Sequence, residues 1–519
     1  MLALLAASGV LLAGCQKEEG NKAPEQLPVE EQEEALPSEQ LEGEVLVWSM
    51  GSQPESCDPA QYTTAAEASV LNNVMEGLFR VSKGEAQPAL AQEAGERTEN
   101  QDGTVTYTYR LRAAQWSDGE AVKAGDFVYA WQRAAAQEEN PYRYLFAMIA
   151  TTEPEGDEEP KLLLEAQGDD VLQVTLQGDV PYFDQLLALP AFFPLREDVP
   201  ADALSRGALF NGPFTVGEMT KGEELILEKN KNYRGAQDVA LDYVVGKVLT
   251  GESGQWDGKK VELGVPTAEN WSRASHVEFC STQYLLLSKT PEIKALEDPK
   301  VRRALSLALD RTALADETVG SVTPALGLVP PCAGGTGGFL KVQANLEEAK
   351  ALLEEAGVAV EETELQLLVP KGQETPKAVA EAVQVMWQEL GVSVTIVEEG
   401  PEAYQNLLVS GTFPGAVLTG WYGDANDPAE FLNPFLSVSQ GPFHGYGSIA
   451  YNKAVFEAFP KTGEERLEAM ANAEKILLED GYVIPLYHDT VAVAGGEKAQ
   501  NWEVDNRGVY WFGQASLGE

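Results

Sequence analysis

Four cysteines and three histidines are the residues of this 519-residue chain best suited to nucleophilic or metal chemistry. Their spacing gives them little to do. His276, His444 and His488 stand isolated in sequence, so no Cys/His metal site is spelled out. Cys57, Cys280 and Cys332 form an odd set once Cys15 is put aside; one disulfide and three free thiols are both open in an oxidising compartment. The chain has no G-x-x-x-x-G-K-[ST] phosphate loop, no G-x-S-x-G nucleophile elbow and no H-E-x-x-H zinc helix. Among 82 Asp and Glu residues, no spacing singles out a glycosidase-type carboxylate pair. The expectation is a protein that binds rather than transforms, with no enzyme activity, no cofactor and no metal.

Charge and length narrow the partners. Lys and Arg number 37 against 82 Asp and Glu, so the formal charge is 37 − 82 = −45. That balance argues against a nucleic-acid partner, which needs clustered basic side chains. Hydrophobic residues make up 44%, ordinary globular usage. No apolar run reaches the ~18–20 residues of a spanning helix. Residues 1–15 read MLALLAASGVLLAGC, a short apolar core ending in small residues, as in a secretory signal. Leu12-Ala13-Gly14-Cys15 resembles the lipobox of bacterial lipoproteins, although no Lys or Arg precedes it. The resemblance implies that residues 1–14 are removed and that Cys15 is lipidated. An ordinary signal peptide with an incidental cysteine is the plainer alternative. Residues 16–44 carry ten Glu against two Lys and few apolar side chains, so 15–44 reads as a lipidated, disordered acidic tether. Two or more acyl chains at Cys15 would anchor it stably.

The folded body begins with a strand at Glu44–Ser49. Thr104–Arg112 sets Val105, Tyr107, Tyr109 and Leu111 on one face, the alternation of a half-buried strand. Ala124–Arg133 reads as a helix. Asp298 is an N-cap before Pro299, and Asn345 with Glu348 resembles a capping box, stopped by Gly357. Leu365–Val369, Pro376–Leu390 and Val392–Val397 then form a strand–helix–strand unit, which demands parallel strands and a right-handed crossover. The class is α/β, whose ligands bind at strand carboxyl ends and between domains.

Several ordered segments resemble the extracytoplasmic solute-binding proteins of peptide ABC importers, the oligopeptide/dipeptide-binding family (family 5 type). They are Ser56-Cys57-Asp58-Pro59-Ala60, Met75-Glu76-Gly77-Leu78-Phe79, Pro88-Ala89-Leu90-Ala91, Trp116-Ser117-Asp118-Gly119 with Ala124-Gly125-Asp126-Phe127-Val128, Asn211-Gly212-Pro213-Phe214, Asp298-Pro299-Lys300-Val301-Arg302-Arg303-Ala304 and Ile484-Pro485-Leu486-Tyr487. The resemblance implies a periplasmic-binding-protein-like class II fold of two hinged lobes. Lobe I would hold 45–272 and 490–519, with an extra subdomain near 70–178, and lobe II 273–489. It further implies a peptide held extended between the lobes, a membrane permease and separate ATPase subunits as partners, a monomer, and a place on the extracytoplasmic face of a bacterial cell membrane.

Gly420-Trp421-Tyr422-Gly423-Asp424-Ala425-Asn426-Asp427-Pro428 resembles the family's G-W-x-A-D-Y-x-D-P stretch. By that resemblance Asp424 pairs with the ligand's α-ammonium and Trp421 lines the cleft, with Tyr284 and Asn211 as further cleft residues. Burying an ammonium requires a nearby carboxylate. The plainer alternatives make Asp424 a turn residue or helix cap, Trp421 a core residue, and Tyr284 and Asn211 structural. Three departures stand out: Ala425 replaces a tyrosine, Leu418 stands where several peptide binders have a basic residue, and 255–266 fits poorly. The function implied is peptide capture for import. The alternatives are another solute on the same scaffold (an oligosaccharide, heme or a metal chelate), a peptide-pheromone receptor, and a secreted hydrolase.

Overall fold

The computed structural model describes residues 37–153, 159–249, 261–266, 274–288, 293–320, 322–358, 364–439, 446–496 and 498–518. Cys15, His444 and 255–260 lie outside the described residues, as do the signal and lipidation readings.

Two large mixed sheets organise the chain. The first has seven strands, in the order 275–278, 490–495, 263–264, 45–49, 243–247, 224–229 and 214–220. Its strand Val45–Ser49 runs parallel to Tyr243–Lys247. The second has six strands, in the order 323–324, 483–488, 281–287, 415–422, 364–370 and 393–399. Within it, the strand–helix–strand unit read from the sequence appears as Glu364–Pro370, Glu374–Gln388 and Ser393–Glu399, with its strands in parallel register. Asp298 caps its helix as expected, accepting from Lys300 N at 2.8 Å. The Asn345 capping box is only half formed. Its side chain accepts from Glu348 N, but the return bond to Glu348 comes from the Asn345 side-chain amide instead of the backbone.

Helices cover the six-stranded sheet on both faces, which explains its nearly continuous apolar strands. Successive residues of a strand point to opposite faces. Leu285, Leu287, Ala416 and Leu418 therefore enter one core, while Tyr284, Leu286 and Val417 enter the other. A separate four-stranded antiparallel sheet (96–99, 105–110, 171–176, 164–167) occupies the region expected for the extra subdomain. Helix Ala124–Ala136 packs on it and buries Phe127 and Trp131.

The chain passes between the two large sheets twice, side by side. Ser275–Glu278 belongs to the first sheet and Ser281–Leu287 to the second; Val483–His488 and Thr490–Gly495 return the same way. The first crossing thus lies at Phe279–Cys280 and not at 272, because Ser275–Glu278 pairs with Thr490–Gly495. Phe279 N donates to Asp489 O at 2.9 Å, tying the crossings together. Ser281 Oγ and Gln283 Nε2 both donate to Asp489 Oδ2 at 2.8 Å. His488, 2.9 Å from Thr282 Oγ1, is pushed by burial down to about 4, so it is neutral at physiological pH.

The acidic tether is shorter than the sequence suggested. Pro37–Gln40 forms a 3-10 turn, and Ser38 donates its N–H and hydroxyl to Glu224 at 2.9 and 2.5 Å. The buried Glu224 carboxylate needs those donors.

Candidate functional site

Strand Gly415–Tyr422 runs antiparallel to Ser281–Leu287 and delivers the segment after it to the boundary between the lobes. A cavity of about 60 Å³ opens there. One side is Tyr62, Thr64, Asn72 and Tyr142; the other is Phe279, Cys280, Tyr422 and Asp424, with Asn506 and Arg507 from the C-terminal return. Tyr62 and Tyr142 stack at 4.4 Å. Among the described residues lining this cavity, Asp424 is the one acid and Arg507 the one base.

Local chemistry explains why Asp424 is available. Capping falls to Asp427, whose carboxylate accepts from Ala429 N at 2.9 Å while Pro428 takes the first helical position. Asp427 is also gripped by both arms of Arg466, at 2.7 and 2.8 Å, in a buried fork. Asp424 is left to accept from the Tyr144 hydroxyl of the opposite lobe. Burial pushes its pKa up, while the Tyr144 hydrogen bond and the Arg507 charge oppose that shift. Arg507 is itself matched by Asp505, with contacts of 3.0 and 2.6 Å to Oδ2. Behind Asp424, Glu430 Oε2 accepts from Asp424 N at 3.2 Å. Burial first, and the Asp424 charge second, push Glu430 up to about 8, so it holds its proton at pH 7. Arg466 and Arg507 are matched by Asp427 and Asp505, so among the described residues Asp424 is the acid of this cavity that stands in no ion pair.

Residues 85–443 match the family model of the bacterial extracellular solute-binding proteins, family 5 Middle. The chain belongs to this family. It is 30% identical over 487 residues to the periplasmic oligopeptide-binding protein OppA of Escherichia coli K12, covering 86% of this chain and 87% of that protein. It is 29% identical over 481 residues to the probable deoxycholate-binding periplasmic protein YgiS of the same organism, covering 86% and 88%. The periplasmic murein tripeptide-binding protein MppA, in its unliganded open form, superposes with a TM-score of 0.77 at 25% identity, covering 92% of this chain and 98% of that one.

Of the residues named from the sequence, Asp424 alone lines this cavity. Trp421 is half-buried and packs against the core of lobe II, while its neighbour Tyr422 faces the cavity. Alternation along the strand separates the two. Tyr284 is fully buried in that same core, with Phe435 at 6.3 Å, and does not line the cavity. Asn211 is a buried strut. Its side chain accepts from Glu76 N and donates to Glu76 O, both at 2.9 Å. Gly212 presses so closely on the end of helix Ala65–Val74 that a Cβ would lie 2.6 Å from Met75 N. Leu418 is buried in the other core of lobe II, so a basic side chain there would not face this cavity. Ala425 packs with the core of lobe I, which leaves no room for a tyrosine.

Asn426 and Arg507 were not legible beforehand. Asn426 bridges the lobes: its N–H donates to Gln185 Oε1 at 2.8 Å, its amide donates to Gly84 O, and it accepts from Asn506. An asparagine in a loop carries no sequence signal for a partner 241 residues away. Arg507 is adjacent to its own counterion, Asp505, which makes the pair look like an ordinary turn.

A proton should move when a cation enters this site. An ammonium beside Asp424 offsets the field that helps hold the Glu430 proton, so Glu430 becomes more acidic in the complex. Affinity then rises with pH between the complexed and free pKa values, below about 8. Calorimetry at pH 7 in buffers of different ionisation enthalpy should show more proton release for wild type than for Glu430→Gln. The difference separates this proton from the one taken up by the peptide amine; equal release by both proteins would exclude the coupling.

Proposed function

We propose that this protein captures peptides at the extracytoplasmic face of a bacterial membrane, anchored through lipid on Cys15, and hands them to an ABC permease driven by separate ATPase subunits. The observation that carries the reading is the single unmatched carboxylate, Asp424, in an aromatic-walled cavity between the lobes. A free peptide brings one obligatory positive end, and Asp424 stands there in no ion pair among the described residues. The walls offer Tyr62, Tyr142, Phe279 and Tyr422, apolar bodies with polar tips that tolerate varied side chains. Closure around the guest excludes water and strengthens the Asp424–ammonium pair. OppA and MppA, named above as oligopeptide- and murein tripeptide-binding proteins, support the same class of ligand. The extracytoplasmic placement follows the family's extracellular character.

The relative named as deoxycholate-binding supports a second reading, a non-peptide solute. A bile acid is an anion, and it would meet Asp424 as a like charge. The cleft chemistry therefore favours the peptide.

Purification from the membrane fraction of the native host, followed by mass spectrometry of the protein and its retained small molecules, tests both halves. The expected result is a mixture of free-amine peptides together with an acylated N-terminal Cys15. Retained sugars, heme or steroid acids would overturn the cargo. An unmodified N-terminus in a protein that washes off the membrane would overturn the anchor.

A further inference from the structure

Cys280 stands at the first lobe crossing, and Cys332 lies beside it in the turn Pro331–Ala333. Cys332 Sγ is 3.7 Å from the carbonyl oxygen of Phe279, the residue preceding Cys280. That contact sets the Cys332 thiol beside the Cys280 backbone, and each thiol shifts the acidity of the other. Cys280 also joins the segments that build the cleft. Its N–H donates to Asn506 O at 3.0 Å, its carbonyl accepts from Gly423 N at 2.8 Å, and its thiol contacts Ala425 O at 3.6 Å. A Cβ on Gly423 would lie only 3.0 Å from the Cys280 sulfur.

The two sulfurs are unequal. Cys332 is half-exposed, and the neighbouring Cys280, with Asn506 and its own turn, lowers its pKa against the opposing pull of burial and Glu278. Cys280 is buried, and both the neighbouring Cys332 and its burial hold it as the neutral thiol. One partner is fitted to attack and the other to resolve. Cys57, by contrast, is buried in the core of lobe I.

We propose that Cys280 and Cys332 are a redox pair that closes to a disulfide at the lobe crossing. Extracellular family members work where disulfides persist. The Cys332 thiolate attacks one sulfur of an external disulfide and expels one thiolate. Cys280 gives its proton to solvent and attacks the Cys332 sulfur of the mixed disulfide, expelling the second thiol. Two protein thiols are oxidised, and the external disulfide is reduced to two thiols. The new bond ties the turn Pro331–Ala333 to the base of the cleft.

The reduced full-length protein should be treated with oxidised glutathione, alkylated with iodoacetamide in denaturant and mapped by mass spectrometry. The expected map joins the peptides containing Cys280 and Cys332, with Cys57 alkylated. Cys280→Ser should stop at a glutathione adduct on Cys332. Cys332→Ser should leave Cys280 unreacted, because it is buried. A bond that involves Cys57, or a wild type whose Cys280 and Cys332 are both still alkylated, would overturn the pair.

Discussion

Asp424→Ala is expected to weaken binding of free-amine peptides by roughly thirty-fold or more. Removing one partner of a buried, hydrogen-bonded charge pair typically costs about 2–5 kcal/mol, and about 2 kcal/mol is already close to thirty-fold in Kd. The loss is large because nothing else in the cavity can replace the carboxylate. Asp427 is occupied by Arg466, Asp505 by Arg507, and Glu430 lies behind Asp424 and does not line the cavity. Peptides acetylated at the amino end bring no such charge, so their affinity should change far less. Calorimetry with a matched pair of peptides reads the difference directly. Equal losses for both forms would remove Asp424 from this role. An unchanged circular dichroism spectrum would show that the lost Tyr144 contact across the cleft has not undone the fold.

Arg466→Met is expected to lower stability by about 3–5 kcal/mol, because it strands the Asp427 carboxylate in a buried site. The double variant with Asp427→Asn should recover part of that loss, since neither buried charge is then left alone. Denaturant unfolding followed by tryptophan fluorescence measures both, and a single-variant loss below about 1 kcal/mol would place the pair among exposed ones. The consequence reaches the site. Asp427 caps Pro428–Leu432 and fixes the end of the loop that carries Asp424 and Asn426. A protein lacking Arg466 should therefore lose ligand affinity even where it remains folded.

Asn426 shows how the two lobes are held in register. It takes contacts from Gln185, Gly84 and Asn506, all on the opposite side of the crossing. The crossing itself is short and polar: two adjacent strand exits share the buried Asp489 carboxylate. Two short connectors between large sheets are the anatomy of hinge closure, in which a few element-terminal residues absorb the backbone change.

Much of the architecture was written in the sequence because its signals are local. Caps, periodicity and the strand–helix–strand unit at 364–399 each depend on residues a few positions apart, and the structure reproduces them with end shifts of a residue or two. Asp424 could be singled out because its segment resembles a family motif, and the structure sets it in the lining of the cavity. Trp421 and Tyr284 lie on strands of the six-stranded sheet that are buried on both faces, and Asn211 is a buried loop strut on Glu76, so none of the three lines the cavity. The turn before Pro428 likewise assigned the cap to no particular aspartate until the Arg466 fork selected Asp427.

The sequence by itself determined the α/β class and the family, since both rest on residue type and near-neighbour spacing. Only the tertiary structure decided where the lobes cross, that Tyr422 rather than Trp421 faces the cavity, and that Arg507 and Cys280 line it together with Asp424. Those facts join residues dozens to hundreds of positions apart, and packing, not local propensity, sets which of them meet.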